Sequence, residues 1–167
     1  ASGYRRKAII IDVEGDDWVD AIDRSPEIKQ EIVLNKEEIV ACIKNAGIVG
    51  LGGATFPTHV KLMVPEGKKA EYLIINAVEC EPYLTSDHRI MLEKGEEVMI
   101  GIKILMKALA VDSAYVGIEN NKPDAIEHLS KLAEKYSGIK VVALKVKYPQ
   151  GGEKQLIKAL INREVPS

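Results

Sequence analysis

Four short apolar runs along this chain are rich in branched residues, a pattern that predicts buried β-strands. They cover residues 8–13, 72–76, 114–118 and 140–146. Four longer stretches repeat apolar residues three and four positions apart, which predicts helices that pack by one face. They cover residues 36–46, 98–109, 122–136 and 153–161. Because strands alternate with helices and are apolar throughout, the pattern predicts an α/β domain with a largely parallel sheet.

Glycine and proline mark the limits of these elements. Gly47 follows the first predicted helix, as expected of a residue that ends one, and Pro123 lies in the first turn of the third. We interpret residues 1–7 as a tail and residues 8–167 as a single domain. Both ends of the sequence read as interior positions of a longer chain.

The composition is that of a globular protein and excludes several other classes. The chain has 167 residues, 46% of them hydrophobic, and a net charge of −2, which argues against a basic surface for nucleic acid. Cys42 and Cys80 are too few and too far apart for a disulfide framework, so we expect a reducing compartment. No apolar stretch reaches the roughly 20 residues of a membrane-spanning helix, so we expect no direct membrane span.

The polar loops that follow the predicted strands hold the least ordinary residues of the chain. One loop contains Asn76 and Glu79, and the others begin at Glu119 and Tyr148. In an open α/β sheet, ligands bind beyond the carboxyl ends of the strands. We therefore expect these three loops to gather along one edge and to form the site there.

The glycine-rich segment at residues 50–58 (GLGGATFPT) is the strongest local motif. Gly50, Gly52 and Gly53 leave backbone N–H groups unshielded, as needed to cradle a phosphate or to lie against a planar ring. The motif has neither the spacing of a dinucleotide fingerprint nor the lysine of a P-loop. A helix that begins just after it, together with Lys61, would favour an anion. Two interpretations stay open, a ligand-binding loop and a mobile glycine loop.

Two carboxylates, Glu79 and Glu81, flank Cys80 in the loop after the strand at 72–76. They could accept hydrogen bonds from ribose hydroxyls or ring N–H groups, or they could face water. Cys80 is as consistent with a small packing residue as with a reactive thiol. Tyr148 could stack on a ring or belong to the core. The three histidines have no metal-ligand spacing, and no pattern indicates a catalytic dyad.

Four segments, taken together, resemble the C subunit of the Rnf electron-transport complex. They are residues 47–61 (GIVGLGGATFPTHVK), 75–84 (INAVECEPYL), 117–126 (GIENNKPDAI) and 147–156 (KYPQGGEKQL). Their order is that of the family, and the resemblance covers residues 8–167. The family is similar to the flavin-carrying, NADH-oxidising subunit of respiratory complex I. The resemblance therefore implies a Rossmann-like α/β fold of the complex I flavoprotein type, with helices flanking the sheet.

The same resemblance implies binding sites for FMN and NAD(H). Carried over by position, the residues that would hold the flavin are Gly50, Gly52, Gly53, Lys61, Asn76, Glu79, Tyr148 and Gly151. Those that would bind NADH are Phe56, Glu81 and Glu153. The implied chemistry is hydride transfer between nicotinamide and flavin, so no side chain is assigned a catalytic role and none a metal. Val78 and Gly152 stand where the complex I relative has further acids.

The resemblance also implies a place in a larger assembly. The chain would be part of an ion-translocating ferredoxin:NAD+ oxidoreductase, peripheral on the cytoplasmic side of a bacterial or archaeal inner membrane. Its partners would be the other Rnf subunits, and its [4Fe–4S] clusters would lie in a part of the family outside this sequence. Three alternatives stay open: the same module in a cobalamin reductase, a flavin-free scaffold domain, and a domain that binds NADH without flavin.

Overall fold

The computed structural model describes residues 9–20, 22, 24–51 and 54–165. The helices in these ranges are α1 (Lys36–Asn45), α2 (Thr58–Lys61), α3 (Ser86–Glu93), α4 (Gly95–Leu109), α5 (Pro123–Ala133) and α6 (Glu153–Ile161). The strands are β1 (Leu73–Ala77), β2 (Ala114–Glu119) and β3 (Ile139–Leu144). Among the helices described, none has the length and apolar character needed to cross a bilayer.

The three strands form one parallel sheet in the order β1-β2-β3. Ala77 of β1 lies opposite Ile118 of β2, and Glu119 of β2 lies opposite Leu144 of β3. All three strands therefore end at the same edge, and the loop after each strand begins there. This register confirms the predicted parallel α/β fold. The three loops begin at one edge as expected, but the loop that begins at Glu119 contributes no residue to the lining of the cleft found there.

The two faces of the sheet are covered by different helices. On one face, the fully buried Ile118 belongs to a core that includes Met99 of α4 and Leu129 of α5. On the other, α6 packs so close to β2 that a Cβ added to Gly117 would lie 3.0 Å from a methyl carbon of Leu156. The site edge therefore rests on a sheet that is buried on both sides, as expected of parallel strands.

Helix α1 begins and ends with side-chain and backbone signals that the sequence carries. Asn35 and Glu38 form a capping box, in which each side chain accepts a hydrogen bond from the backbone N–H of the other. Gly47 follows the helix with φ +64°, as predicted for the residue that ends it. Ile39 and Ile43 pack against α4, so the glycine-rich segment leaves α1 from a fixed position.

One predicted strand is absent from the described residues, and one helix was not predicted. Residues 9–13 form no strand, and Ile9 and Ile10 are 90% and 87% exposed. A strand needs a neighbour to satisfy its backbone groups, and none pairs with this run among the residues described. Helix α3 is not among the four helices that the apolar pattern predicts.

Candidate functional site

A cleft of about 640 Å³ opens at the carboxyl edge of the sheet. Its walls are the glycine-rich segment with α2, the loop after β1 with the start of α3, and the turn after β3. The residues that line it are Gly50, Leu51, Lys61, Asn76, Val78, Glu79, Cys80, Glu81, Leu84, Ser86, Asp87 and Gly151. The volume lies within the range of roughly 300–1,000 Å³ that is usual for small-molecule sites. The structure thus brings together Gly50, Lys61, Asn76, Glu79, Glu81 and Gly151 of the predicted set.

Asn76, near the end of β1, joins two of these walls. Its Nδ2 donates to the carbonyl of Gly151 at 2.9 Å, and its Oδ1 accepts from the N–H of Val78 at 3.2 Å. Because β2 separates β1 from β3 in the sheet, the turn that contains Gly151 reaches past β2 to make this bond. The two bonds use half of the hydrogen-bonding capacity of the amide.

Glu79 is buried, and its carboxylate caps α3. It accepts from the N–H of Asp87 at 2.8 Å, from the N–H of His88 at 3.4 Å and from the hydroxyl of Ser86 at 3.4 Å. These are the amides that an N-cap side chain usually satisfies, and Thr85, the residue at the N-cap, makes no such bond. Negative charge at this end of a helix is stabilised by the helix dipole. Glu79 therefore ties the β1 loop to α3 and keeps both on the cleft.

The glycine-rich segment is closed at its base and carries a lysine over its first glycine. The N–H of Gly50 donates to the carbonyl of Phe56 at 2.9 Å, and the N–H of Thr58 donates to that of Ile48 at 3.0 Å. A Cβ built on Gly50 would lie 2.7 Å from Nζ of Lys61. The lysine ammonium therefore occupies space that glycine alone leaves free at position 50.

Three of the remaining predicted site residues do not line the cleft. Tyr148 and Phe56 are 72% and 49% exposed, and neither lines the cleft. Glu153 is the first residue of α6 and is also outside the lining. Gly52 and Gly53 lie outside the described residues.

The start of α3 is a part of the site that sequence reasoning missed. Ser86 and Asp87 line the cleft. The Ser86 hydroxyl and the Asp87 N–H both donate hydrogen bonds to the Glu79 carboxylate. A polar Thr-Ser-Asp triplet before the apolar residues of α3 is a helix-start signal that could have found them. Partial burial raises the pKa of Asp87, the neighbouring Glu79 raises it further, and Lys122 opposes both effects.

We expect Asp87→Asn to raise the melting temperature slightly at neutral pH and to leave it unchanged in acid. A carboxyl whose pKa is higher in the folded than in the unfolded chain binds its proton more tightly when folded, so its ionisation disfavours the fold. This penalty appears as the pH rises through the unfolded value of 3.8 and is absent well below it. Thermal unfolding at about pH 3 and pH 7 tests the sign. A variant that melts lower than the native chain at pH 7 would contradict it.

Comparison with protein families gives a match over most of the chain. Residues 43–167 match the family model described as the Nuo51 FMN-binding domain.

Two of the most similar relatives have related names, and both are C subunits of ferredoxin:NAD(+) oxidoreductase complexes. The chain is 51% identical over 162 residues to that of the proton-translocating complex of Clostridium ljungdahlii. It is 48% identical over 170 residues to that of the Na(+)-translocating complex of Acetobacterium woodii. These alignments cover 96% and 100% of this chain but 35% and 37% of the relatives, so it spans about a third of their length. The resemblance to the Rnf family is confirmed.

Solved structures support the fold. NAD+-reducing [NiFe]-hydrogenase in the air-oxidized state matches with a TM-score of 0.64 and 23% identity, over 74% of this chain and 23% of that one. The H2-reduced state matches with a TM-score of 0.60 and 23% identity, over 74% and 24%. At this identity the likeness concerns the fold alone, and together with the family match it confirms the predicted fold class.

Proposed function

The chain belongs to the family of the Nuo51 FMN-binding domain, and we propose that its cleft binds FMN. The observation that carries the proposal is a cleft kept open by glycines at the sheet edge where α/β proteins bind ligands. A Cβ added to Gly151 would lie 3.2 Å from the carbonyl oxygen of Val78 and 3.4 Å from Sγ of Cys80. A side chain at that position would therefore press on the opposite wall.

The charges on the cleft also suit a ligand with an anionic group and several hydrogen-bond donors. Lys61 presents an ammonium from the glycine-rich wall, whereas Glu81 and Asp87 present carboxylates from the wall formed by the β1 loop and α3. FMN carries a phosphate, which suits the ammonium. It also carries ribityl hydroxyls and a ring N–H, which can donate to the carboxylates. We assign the phosphate to Lys61 and the loop at Gly50, and the hydroxyl and ring donors to the wall opposite.

The other residues of the proposed sites are assigned from the matching positions in the family. Asn76, Glu79, Gly151 and Tyr148 would complete the flavin site with Gly52 and Gly53, and Phe56, Glu81 and Glu153 would bind NAD(H). FMN, when bound, supplies exchange of hydride with nicotinamide and of single electrons with iron–sulfur clusters. The chain's own residues bind and orient it: Asn76 holds the Gly151 turn against β1, and Glu79 keeps α3 on the cleft.

At the level of the whole protein, we propose the flavin and NAD(H) domain of an Rnf-type complex. The two relatives are named as C subunits of ion-translocating ferredoxin:NAD(+) oxidoreductases, and this chain covers about a third of each. The proposal places it on the cytoplasmic side of the membrane, with the other subunits as partners. Electrons would pass to clusters outside the residues of this chain.

A flavin titration tests the proposal. FMN fluorescence is followed as it is added to this chain, and to a chimera extended past Ser167 with the aligned continuation of the Acetobacterium woodii relative. We expect saturable quenching by the chimera, and at least a tenfold loss of affinity, about 1.4 kcal/mol, in its Gly151→Val variant. Gly101→Val is the matched control, because a Cβ at Gly101 in α4 meets nothing within 4 Å.

The titration separates flavin binding from the two alternatives that lack flavin. Binding by the short chain as well would show that the cleft of residues 50–151 suffices. Absence of binding to both folded chains would overturn the flavin proposal and favour the scaffold. NADH binding whose affinity is unchanged by added FMN would favour the domain that binds NADH without flavin.

A further inference from the structure

A buried ion pair lies beneath the β1 loop and is not among the residues proposed to touch flavin. Glu119, the last residue of β2, is 2% exposed, and Lys122, which precedes α5, is 7% exposed. Nζ of Lys122 lies 3.6 Å from Oε2 of Glu119. Oε1 of Glu119 has no hydrogen-bond partner among the residues described.

Such a pair is a poor way to stabilise a fold. Desolvation of two charges offsets most of their attraction, and a carboxylate oxygen without a partner adds to the cost. Two apolar side chains of similar volume often stabilise a protein as well or better. Stability alone therefore does not account for the pair.

The ammonium of Lys122 makes a second set of contacts that points to the cleft. It donates to the carbonyl oxygen of Glu79 at 3.4 Å and to Oδ1 of Asn121 at 3.3 Å. Glu79 is thus held at two points, its carboxylate by the N-terminus of α3 and its carbonyl by Lys122. Its chain neighbours, Val78 and Cys80, are the residues that face Gly151.

We propose that Lys122 is a positioning residue of the cleft, which holds the Glu79 carbonyl and thereby sets the wall opposite Gly151, with Glu119 compensating its charge. The effect that we expect on FMN binding rests on the proposed function. Lys122 itself does not line the cleft, so it acts through the backbone of Glu79.

A pair of variants separates positioning from stability. Lys122→Met leaves the Glu119 carboxylate buried and unpaired, so we expect it to lose both stability and FMN affinity. Glu119→Met combined with Lys122→Met removes both charges, and we expect its urea midpoint to return to that of the native chain or above. Its FMN affinity should nevertheless stay about tenfold weaker, because the bond to the Glu79 carbonyl is still missing. Both variants are made in this chain if it binds FMN, and otherwise in the chimera.

The double variant decides the inference. Native FMN affinity at native stability would overturn it, because the pair would then be dispensable to the cleft.

A native protein that binds no FMN would overturn the proposed function instead. Amide hydrogen exchange then tests Lys122 directly. We expect faster exchange at Asp87 and His88, whose amides donate to the Glu79 carboxylate, in the double variant at equal global stability, with α5 unchanged. Unaltered exchange at both amides would contradict the positioning role.

Discussion

Lys61→Met is expected to weaken FMN binding by about tenfold, or 1.4 kcal/mol, and to leave riboflavin binding unchanged. The ammonium of Lys61 lies over Gly50 on the glycine-rich wall, where we place the phosphate, and riboflavin lacks that phosphate. The comparison of the two flavins therefore isolates the charge contact from every contact to the ring. Isothermal titration of each flavin into the native and variant chimera measures the difference.

Two controls sharpen this result. Lys131→Met removes an exposed lysine that pairs with Glu127 on α5 and does not line the cleft, so it should change neither affinity. Raising the salt concentration should weaken FMN binding to the native protein more than to Lys61→Met, since an exposed charge contact is screened. Equal losses for FMN and riboflavin would place the phosphate elsewhere.

Gly138→Ala is expected to lower the free energy of unfolding by about 3 kcal/mol or more. Gly138 has φ +85°, and a Cβ added there would lie 2.2 Å from the carbonyl oxygen of Asp112. Backbone cannot move aside as a side-chain tip can, and the carbonyl of Gly138 also accepts from the N–H of Ala114 at 2.8 Å. The substitution would therefore separate the turns that start β2 and β3.

Gly67→Ala is the matched control for this substitution. Gly67 has a similar φ of +75°, but a Cβ there meets nothing within 4 Å. We expect it to lose only the cost of a left-handed alanine, about 1–2 kcal/mol. Urea unfolding of both variants gives the comparison. Equal losses would mean that backbone conformation alone, and not the contact with Asp112, accounts for the effect.

Periodicity predicted the elements that pack on one another. The runs at 114–118 and 140–146 differ from β2 and β3 by no more than two residues at either end, because their apolar residues are buried on both faces of the sheet. The same reasoning failed at residues 9–13, where an equally apolar run has no neighbouring strand among the described residues. A strand forms only where a second strand pairs with it, and the apolar pattern of one segment does not show whether such a partner is present.

Helix α3 shows the opposite failure. Its amides at Asp87 and His88 are satisfied by Glu79, a carboxylate outside the four-residue window in which capping boxes are recognised. No local pattern links Glu79 to the start of that helix. The loop had to fold back before its carboxylate could act as a cap.

By itself, the sequence determined the parallel α/β class, the glycine-rich segment and the edge of the sheet at which polar loops gather, because these follow from local pattern and from strand direction. Only the tertiary structure decided which loops meet. Asn76 reaches Gly151 across 75 positions, and Lys122 reaches Glu79 across 43. Both contacts join segments at the ends of different strands, so they depend on strand pairing and helix packing, which no local pattern in a loop encodes.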